Sequence, residues 1–129
     1  MLKTGILNPQ LNSLLSRIRH TNTLVIADRG FPFWPQLETV DISLIDNVPT
    51  VLQVLAALRT NFVIGEVWMA REFLEHNSEP TTGEFVRALA GIKVGHEPHV
   101  DFKKRVPDAI GLIRTGDSTP YANLILTSA

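Results

Sequence analysis

Two side chains near the C-terminus, Tyr121 and Asn123, have the types and the spacing of a small hydrogen-bonding site. They follow a turn in which Gly116 tolerates positive φ and a proline stiffens the exit. Residues two apart in an extended chain face the same side, so a phenol and a carboxamide would point together. Such a pair suits a hydroxylated small molecule. The spacing leaves open a plain tight turn with a capping Asn and a half-buried Tyr.

An acid and a histidine flank a predicted strand at residues 24–27, which is apolar throughout and therefore expected to be covered on both faces. Asp28 follows the strand directly, and ligands of open α/β sheets collect beyond the carboxyl ends of strands. His20 precedes the strand. The side chains of His20 and Asp28 can meet only if the loop before the strand folds back. The alternatives are that Asp28 caps a turn around Gly30 and that His20 binds free helix carbonyls.

A second histidine, His99, precedes a predicted helix at residues 100–106. Lys103 follows it at helical reach and is a candidate to share its surroundings. His96 and His99 could suggest a metal pair, but a stable site needs three or more ligands and no third is suitably spaced. We therefore expect no metal site and an exposed His96.

The elements that must position these residues are indicated by apolar periodicity. A helix should begin at Asn8-Pro9, where Asn caps and Pro occupies the first turn. Further predictions are helices at 51–58, 70–75, 81–91 and 100–106, extended segments at 40–44, 61–69 and 93–98, and buried strands at 109–113 and 124–126. This alternation predicts a three-layer α/β/α single domain, residues 1–129, with a mixed β-sheet.

Several local features give sharper expectations. Thr81 and Glu84 have the spacing of a capping box, and Gln53, alone in an apolar helix, must find a partner or face a cavity. His76 lies in a polar loop and should be solvated. The aromatic, proline-rich loop at 31–34 is too rich in proline for a helix. It could form a pocket wall, a subunit contact or ordinary packing, and packing is our expectation.

Composition argues against several functional classes. With 12 basic and 13 acidic residues the net charge is −1, so no basic excess is available to neutralise a nucleic acid. No apolar run approaches the length of a membrane span, and the N-terminus lacks the pattern of a signal peptide. The absence of cysteine excludes disulfides and thiolate chemistry. We therefore expect a cytoplasmic protein.

Together these segments resemble the family of ribose pyranases and fucose mutarotases, small cytoplasmic enzymes that interconvert the cyclic forms of free sugars. The resemblance runs in order over essentially the whole chain and is most specific in its last segment, while residues 60–95 match mainly in pattern. The matching segments are 5–8, 16–22, 27–32, 48–49, 53–55, 99, 102–103 and 113–123. Thr-Pro-Tyr-Ala-Asn at 119–123 is closest to the ribose branch.

The resemblance implies a role for each matched residue. His20 would be the proton donor. Asp28, His99, Tyr121 and Asn123 would contact the sugar, with Lys103 and Ala122 as supporting candidates. It also implies ring-shaped homo-oligomers, typically decamers, with pockets at subunit contacts. One departure is Asn22, where ribose pyranases usually carry an aspartate that could orient and charge the histidine.

Ring opening of a pyranose moves a proton from the anomeric hydroxyl while the ring oxygen gains one, so the reaction needs no cofactor. A histidine that exchanges protons near pH 7 is the natural catalyst. The expected activity is the interconversion of D-ribose pyranose and furanose. The alternatives are mutarotation of L-fucose or a related sugar, a monosaccharide-binding accessory protein without turnover, and a purely structural ring component.

Overall fold

The computed structural model describes residues 1–129 and builds one mixed sheet of six strands with helices against both faces. The helices are α1 Pro9–Ser16, α2 Val51–Arg59, α3 Glu72–His76, α4 Thr81–Ala88 and α5 His99–Arg105, followed by a 3-10 helix at Val106–Asp108. The strands are β1 Thr23–Ala27, β2 Thr39–Asp41, β3 Ile64–Ala70, β4 Lys93–Glu97, β5 Gly111–Arg114 and β6 Leu124–Ser128. Every helix is too short or too polar to span a lipid bilayer.

The strand order is β2-β5-β1-β6-β3-β4, and β6 alone runs antiparallel to its neighbours. The carboxyl ends of the other five strands therefore meet at one edge of the sheet, together with the amino end of β6. The two strands that flank the C-terminal turn are not a hairpin, because β1 lies between β5 and β6. Residues 115–123, which we call the crossing segment, pass over the carboxyl end of β1.

Alternation along the central strands divides the core between the two faces, as a three-layer domain requires. Leu24 and Ile26 of β1 pack in the larger cluster with residues of α1, α2, α3 and α4. Val25 and Ala27 pack in the smaller cluster with Phe102 of α5 and the aromatic loop. The predicted three-layer α/β fold with a mixed sheet is confirmed, and so is the prediction that β1 is covered on both faces.

Two helix starts follow from local hydrogen bonding. The N–H of Leu11 donates to Asn8 Oδ1 at 2.9 Å, which confirms the predicted N-cap of α1. At α2, Thr50 Oγ1 accepts from the N–H of Gln53, and Gln53 Oε1 accepts from the N–H of Thr50. Gln53 thus finds its partner in a capping box rather than in a cavity.

The capping box predicted at Thr81 and Glu84 is wrong. Helix α4 begins at Thr81 itself, Pro80 occupies the N-cap position, and no side chain caps the helix. The N–H of Glu84 already donates to the carbonyl of Pro80 at 3.1 Å. Thr81 is therefore the first helical residue and not the N-cap. The N–H of Glu84 does not use the Thr81 hydroxyl as an acceptor.

The crossing segment is fixed by buried polar groups. Thr115 donates from both its N–H and its hydroxyl to the carbonyl of Ala27, the last residue of β1. The carboxylate of Asp117 accepts from the N–H of Val51 at the start of α2 and from the N–H of Thr119. A Cβ on Gly116 would collide with the carbonyl oxygen of Ile45, so this glycine is required by close approach and not by a positive φ.

Candidate functional site

A polar pocket of about 220 Å³ lies at the edge of the sheet where the carboxyl ends of the strands meet. Each wall comes from a different part of the chain: the segment after β1, the start of α5 and the end of the crossing segment. Its principal lining residues are Asp28, Phe31, Pro32, His99, Tyr121 and Asn123. Since pockets for drug-sized ligands occupy roughly 300–1,000 Å³, this one suits a smaller molecule.

One corner of the pocket joins Asp28 to Asn123, which are 95 residues apart in sequence. The N–H of Asp28 donates to Asn123 Oδ1 at 2.7 Å, and the N–H of Gly30 donates to Asp28 Oδ1 at 3.0 Å. Asn123 is 2% exposed. Because its oxygen is engaged, its amide nitrogen is left as the donor at this corner.

Burial raises the pKa of Asp28 above its usual value, although hydrogen bonds from the backbone of Gly30 and Phe31 and from the Asn123 side chain oppose the shift. The nearby Asp117 carboxylate also raises this pKa. A carboxyl group with a raised pKa is a better proton acceptor than an ordinary surface aspartate. The turn around Gly30, which was the alternative role for Asp28, is present, and it holds a carboxylate that also lines the pocket.

Tyr121 and Asn123 both line the pocket, but not for the reason that their spacing suggested. Tyr121 has φ +56°, so the chain between them is not extended and strand alternation does not align them. A left-handed residue at 121 turns the chain before β6 begins. The phenol ring then meets the imidazole of His99 edge-on, with ring centroids 5.1 Å apart.

His99 is held at the first turn of α5. Its N–H donates to both carboxylate oxygens of Glu72 at 3.0 Å, and its ring stacks on Phe102. Burial, and then the charge of Lys103, lower the pKa of His99, while Glu72 and Asp28 oppose the shift. Its Nδ1 is buried and has no partner within the chain. A neutral imidazole with a free ring nitrogen can hydrogen-bond to a hydroxyl group in the pocket.

The two supporting candidates lie outside the pocket lining. Lys103 is one helical turn after His99, and its charge adds to burial in lowering the pKa of His99. Ala122 is fully buried and packs in the larger core cluster, so its side chain faces the core while its neighbours face the pocket.

His20 is exposed and lies before β1, whereas Asp28 follows it. The strand between them spans about 16 Å at 3.3 Å per residue. The loop does not fold back, because the N–H of Thr21 donates to the carbonyl of Ser128 and Asn22 Oδ1 accepts from the N–H of Arg19. Within one chain, therefore, the imidazole of His20 does not meet the carboxylate of Asp28.

Sequence reasoning missed two neighbours of the pocket. Glu72 follows the carboxyl end of β3, and the strand-end rule that singled out Asp28 could have found it. His76 is exposed, as expected, yet its ring lies 5.1 Å from that of Tyr121, and no sequence signal links residues 45 positions apart. Phe31 of the aromatic loop both packs in the core and lines the pocket, whereas Phe33 is 70% exposed.

A second pocket, of about 310 Å³, lies between strands β3 and β4 and helices α3 and α4. It is lined mainly by apolar side chains such as Phe73, Phe85 and Leu89, with His96 at its wall. It lacks the convergent polar groups that orient a ligand, so the Asp28 pocket is the candidate site. No three His, Asp or Glu side chains come together in a group that could hold a metal ion.

Comparison with known proteins gives full-length matches. Residues 1–129 match the model of the RbsD / FucU transport protein family. A D-ribose pyranase of Geobacillus kaustophilus is 42% identical over 129 residues, covering 99% of this chain and 93% of the relative. A D-ribose pyranase of Laribacter hongkongensis is 36% identical, covering 99% and 97%.

Two solved structures also match over almost the whole chain. The structure of Bacillus subtilis RbsD complexed with D-ribose is 32% identical, with a TM-score of 0.92 and coverage of 100% of this chain and 98% of that one. The fucose mutarotase of Streptococcus pneumoniae, in complex with L-fucose, is 18% identical with a TM-score of 0.83, covering 99% and 98%. The second likeness is one of fold alone.

Proposed function

Because the chain belongs to the RbsD / FucU transport protein family, we propose that it is an isomerase that interconverts the ring forms of a free monosaccharide, with D-ribose pyranose and furanose as the first candidates. The observation that carries the proposal is the convergence of Asp28, His99, Tyr121 and Asn123 on one small polar pocket. The relatives named D-ribose pyranase and the neighbour that holds D-ribose support the choice of sugar.

The pocket groups match the needs of ring opening. The anomeric hydroxyl loses its proton and the C–O bond to the ring oxygen breaks, while the ring oxygen gains a proton and an open-chain aldehyde forms. Closure through a different hydroxyl reverses these transfers and gives the other ring. The carboxylate of Asp28 can accept from a sugar hydroxyl, while the Asn123 amide donates and neutral His99 offers a ring nitrogen.

The proton donor in this proposal is His20 of a second copy of the chain. His20 is exposed and remote from its own pocket, so it is available to reach another one. Phe33, 70% exposed, and Val100, 59% exposed, directly follow the lining residues Pro32 and His99. They give a second copy an apolar surface beside the pocket. A closed homo-oligomeric ring, such as a decamer, would repeat this contact at every pocket.

A monosaccharide-binding role without turnover is the second candidate. It is favoured by one observation, that His20 has no carboxylate neighbour at position 22, where Asn22 binds the backbone of Arg19 instead. Both candidates use the same pocket, and both fit the cytoplasmic location that the sequence led us to expect, which remains part of this proposal.

Ring-form exchange measured by NMR saturation transfer separates the two. Wild type should speed pyranose–furanose exchange of D-ribose more than anomer exchange of L-fucose, and His20→Ala should lose about 10²–10⁴-fold of that acceleration. His96→Ala is the matched control, because His96 is exposed and does not line the pocket. Sugar binding without faster exchange would favour the accessory role. Equal rates with and without protein, for both sugars, would end the isomerase proposal.

A further inference from the structure

Tyr121 has a backbone conformation that its surroundings must maintain. Its φ of +56° lies in the left-handed region, which residues other than glycine rarely adopt. Its ring lies between two imidazoles: that of His99 within the pocket and that of His76 outside it, each with a centroid 5.1 Å away. The phenol reaches the pocket only while this turn is kept.

One short segment, residues 72–77, contacts both His99 and Tyr121. Glu72 accepts the N–H of His99, and the ring of His76 packs on that of Tyr121. The Nδ2 of Asn77 donates to the carbonyl of Phe73, four residues earlier, and to the carbonyl of Pro120, 43 residues later, both at 2.9 Å. Helix α3 and Asn77 thus connect the start of α5 to the end of the crossing segment.

We propose that Asn77 is a positioning residue that aims Tyr121 into the sugar pocket through the carbonyl of Pro120, an inference that rests on the proposed function. The Pro120 carbonyl and the Tyr121 nitrogen share one rigid peptide plane. Fixing the oxygen fixes that plane, and because buried Ala122 and Asn123 hold the chain on the other side, the φ of Tyr121 is then determined. Without the donor, the backbone at 121 can relax toward the extended region and carry the ring away from His99.

The test begins with Asn77→Asp, which keeps the size of the side chain and removes the donor. Asn61→Asp is the matched control, because Asn61 Nδ2 also donates to the carbonyl four residues earlier, that of Ala57, but binds nothing in the pocket. We expect Asn77→Asp to weaken D-ribose binding about tenfold, the loss of roughly one hydrogen bond, and to raise KM more than it lowers kcat. Asn61→Asp should change affinity less than about twofold.

A double-mutant cycle distinguishes positioning from general destabilisation. If Asn77 acts through Tyr121, Asn77→Asp added to Tyr121→Ala should weaken binding by less than about a further twofold. Independent structural damage would instead multiply the two losses. Multiplicative losses would overturn the proposal.

Tyr121 is the only tyrosine in the chain, so its ring resonances report on the turn without any sugar. In protein labelled at tyrosine, Asn77→Asp should move these resonances toward unfolded-chain values, as the ring leaves the two imidazoles, and Asn61→Asp should leave them in place. Unmoved resonances, or moved resonances with unchanged ribose affinity, would overturn the proposal. If Asn77→Asp fails to fold, Asn77→Ser, whose hydroxyl is too short to reach Pro120, takes its place.

The same measurements keep this inference separate from the proposed function. A wild type that neither binds ribose nor speeds its ring exchange would overturn the proposed function and the sugar-binding part of this inference. The tyrosine resonances would still decide whether Asn77 positions Tyr121.

Discussion

The two ends of strand β1 are built in opposite ways. At its carboxyl end, Asp28 is half-buried and hydrogen-bonded to buried Asn123, and Thr115 binds the last strand carbonyl. At its amino end, His20 is exposed, and Asn22 binds only local backbone. One chain therefore holds the pocket groups in place in advance and leaves the proposed acid free. On the proposed function, a substitution at the amino end should change proton transfer without changing sugar affinity.

The largest expected effect comes from placing a substitution at each end of β1 on a different chain and refolding the two variants together. His20→Ala and Asp28→Asn should each lose about 10²–10⁴-fold of the catalysed exchange rate. If each site takes its histidine from another copy, a 1:1 mixture unfolded and refolded together should regain about a quarter of wild-type activity, since one pairing in four is intact. Exchange is measured by NMR on D-ribose.

The control for this complementation is the same two variants refolded separately and then mixed without further denaturation. This mixture should stay inactive for as long as subunits do not exchange. Co-refolded mixtures no more active than the separate variants would show that the two ends do not share a site.

The effects of Asp28→Asn on affinity and on stability should be smaller than its effect on the rate, and they should go in opposite directions. Ribose affinity should fall at least about tenfold, because a hydrogen bond to a charged group is worth roughly 1.5–3 kcal/mol. Burial raises the pKa of Asp28, so its contribution to stability is present below the unfolded value and lost as the pH rises through the folded value. The neutral variant should therefore have the higher Tm at pH 7.

This difference in Tm should shrink as the pH falls toward the range in which the wild-type carboxyl is protonated. Thermal unfolding and ribose calorimetry from pH 4 to pH 8 test both halves of the prediction. Asp46→Asn is the control, because that carboxylate is exposed and pairs with Arg29 on the surface. A variant that binds ribose as tightly as wild type would place the carboxylate outside the binding interaction.

At the amino end, Asn22→Asp should change the rate and leave affinity alone. A carboxylate at this position can still accept the N–H of Arg19, so the turn is kept. The added carboxylate can orient the neighbouring imidazole of His20, so the exchange rate should change. The rate change at pH 7 should be less than about fivefold. A changed ribose Kd with an unchanged rate profile would contradict the separation of the two ends.

Much of the fold could be predicted from the sequence because its causes are local. The N-cap at Asn8 and the buried strand β1 follow from neighbouring residues. The capping box at Thr81 and Glu84 failed because spacing does not give the residue at which a helix begins, and Thr50 with Gln53 formed one instead.

The candidate site was harder, because it depends on strand order. Asp28 could be found from its position at a strand end. The resemblance supplied His99, and its meeting with Glu72 requires β3 and β4 to be parallel neighbours. That His20 is remote from Asp28 follows from the extended strand β1 between them and from the hydrogen bond of the Thr21 N–H to Ser128 of β6. The roles of these residues remain predictions.

The smallest expected effect probes the charge around His99 at the carboxyl end. Burial and the Lys103 ammonium lower the pKa of His99, so its contribution to stability is present above its usual pKa of 6.5 and lost as the pH falls. Lys103→Met removes the charge, which brings the folded and unfolded values closer and makes this acid loss smaller. It also lets the imidazole protonate at a higher pH, so ribose binding should begin to weaken at a higher pH than in wild type.

At pH 7 the change in Kd should be less than about twofold, since the imidazole stays mainly neutral. Lys104→Met is the matched control, because Lys104 is exposed and pairs with Asp101. Ribose calorimetry from pH 5 to pH 8 is the measurement. If the Lys103 variant, the Lys104 variant and wild type gave identical pH profiles, the charge state of the His99 imidazole would have no effect on sugar binding. The carboxyl end would then work through shape and neutral hydrogen bonds alone.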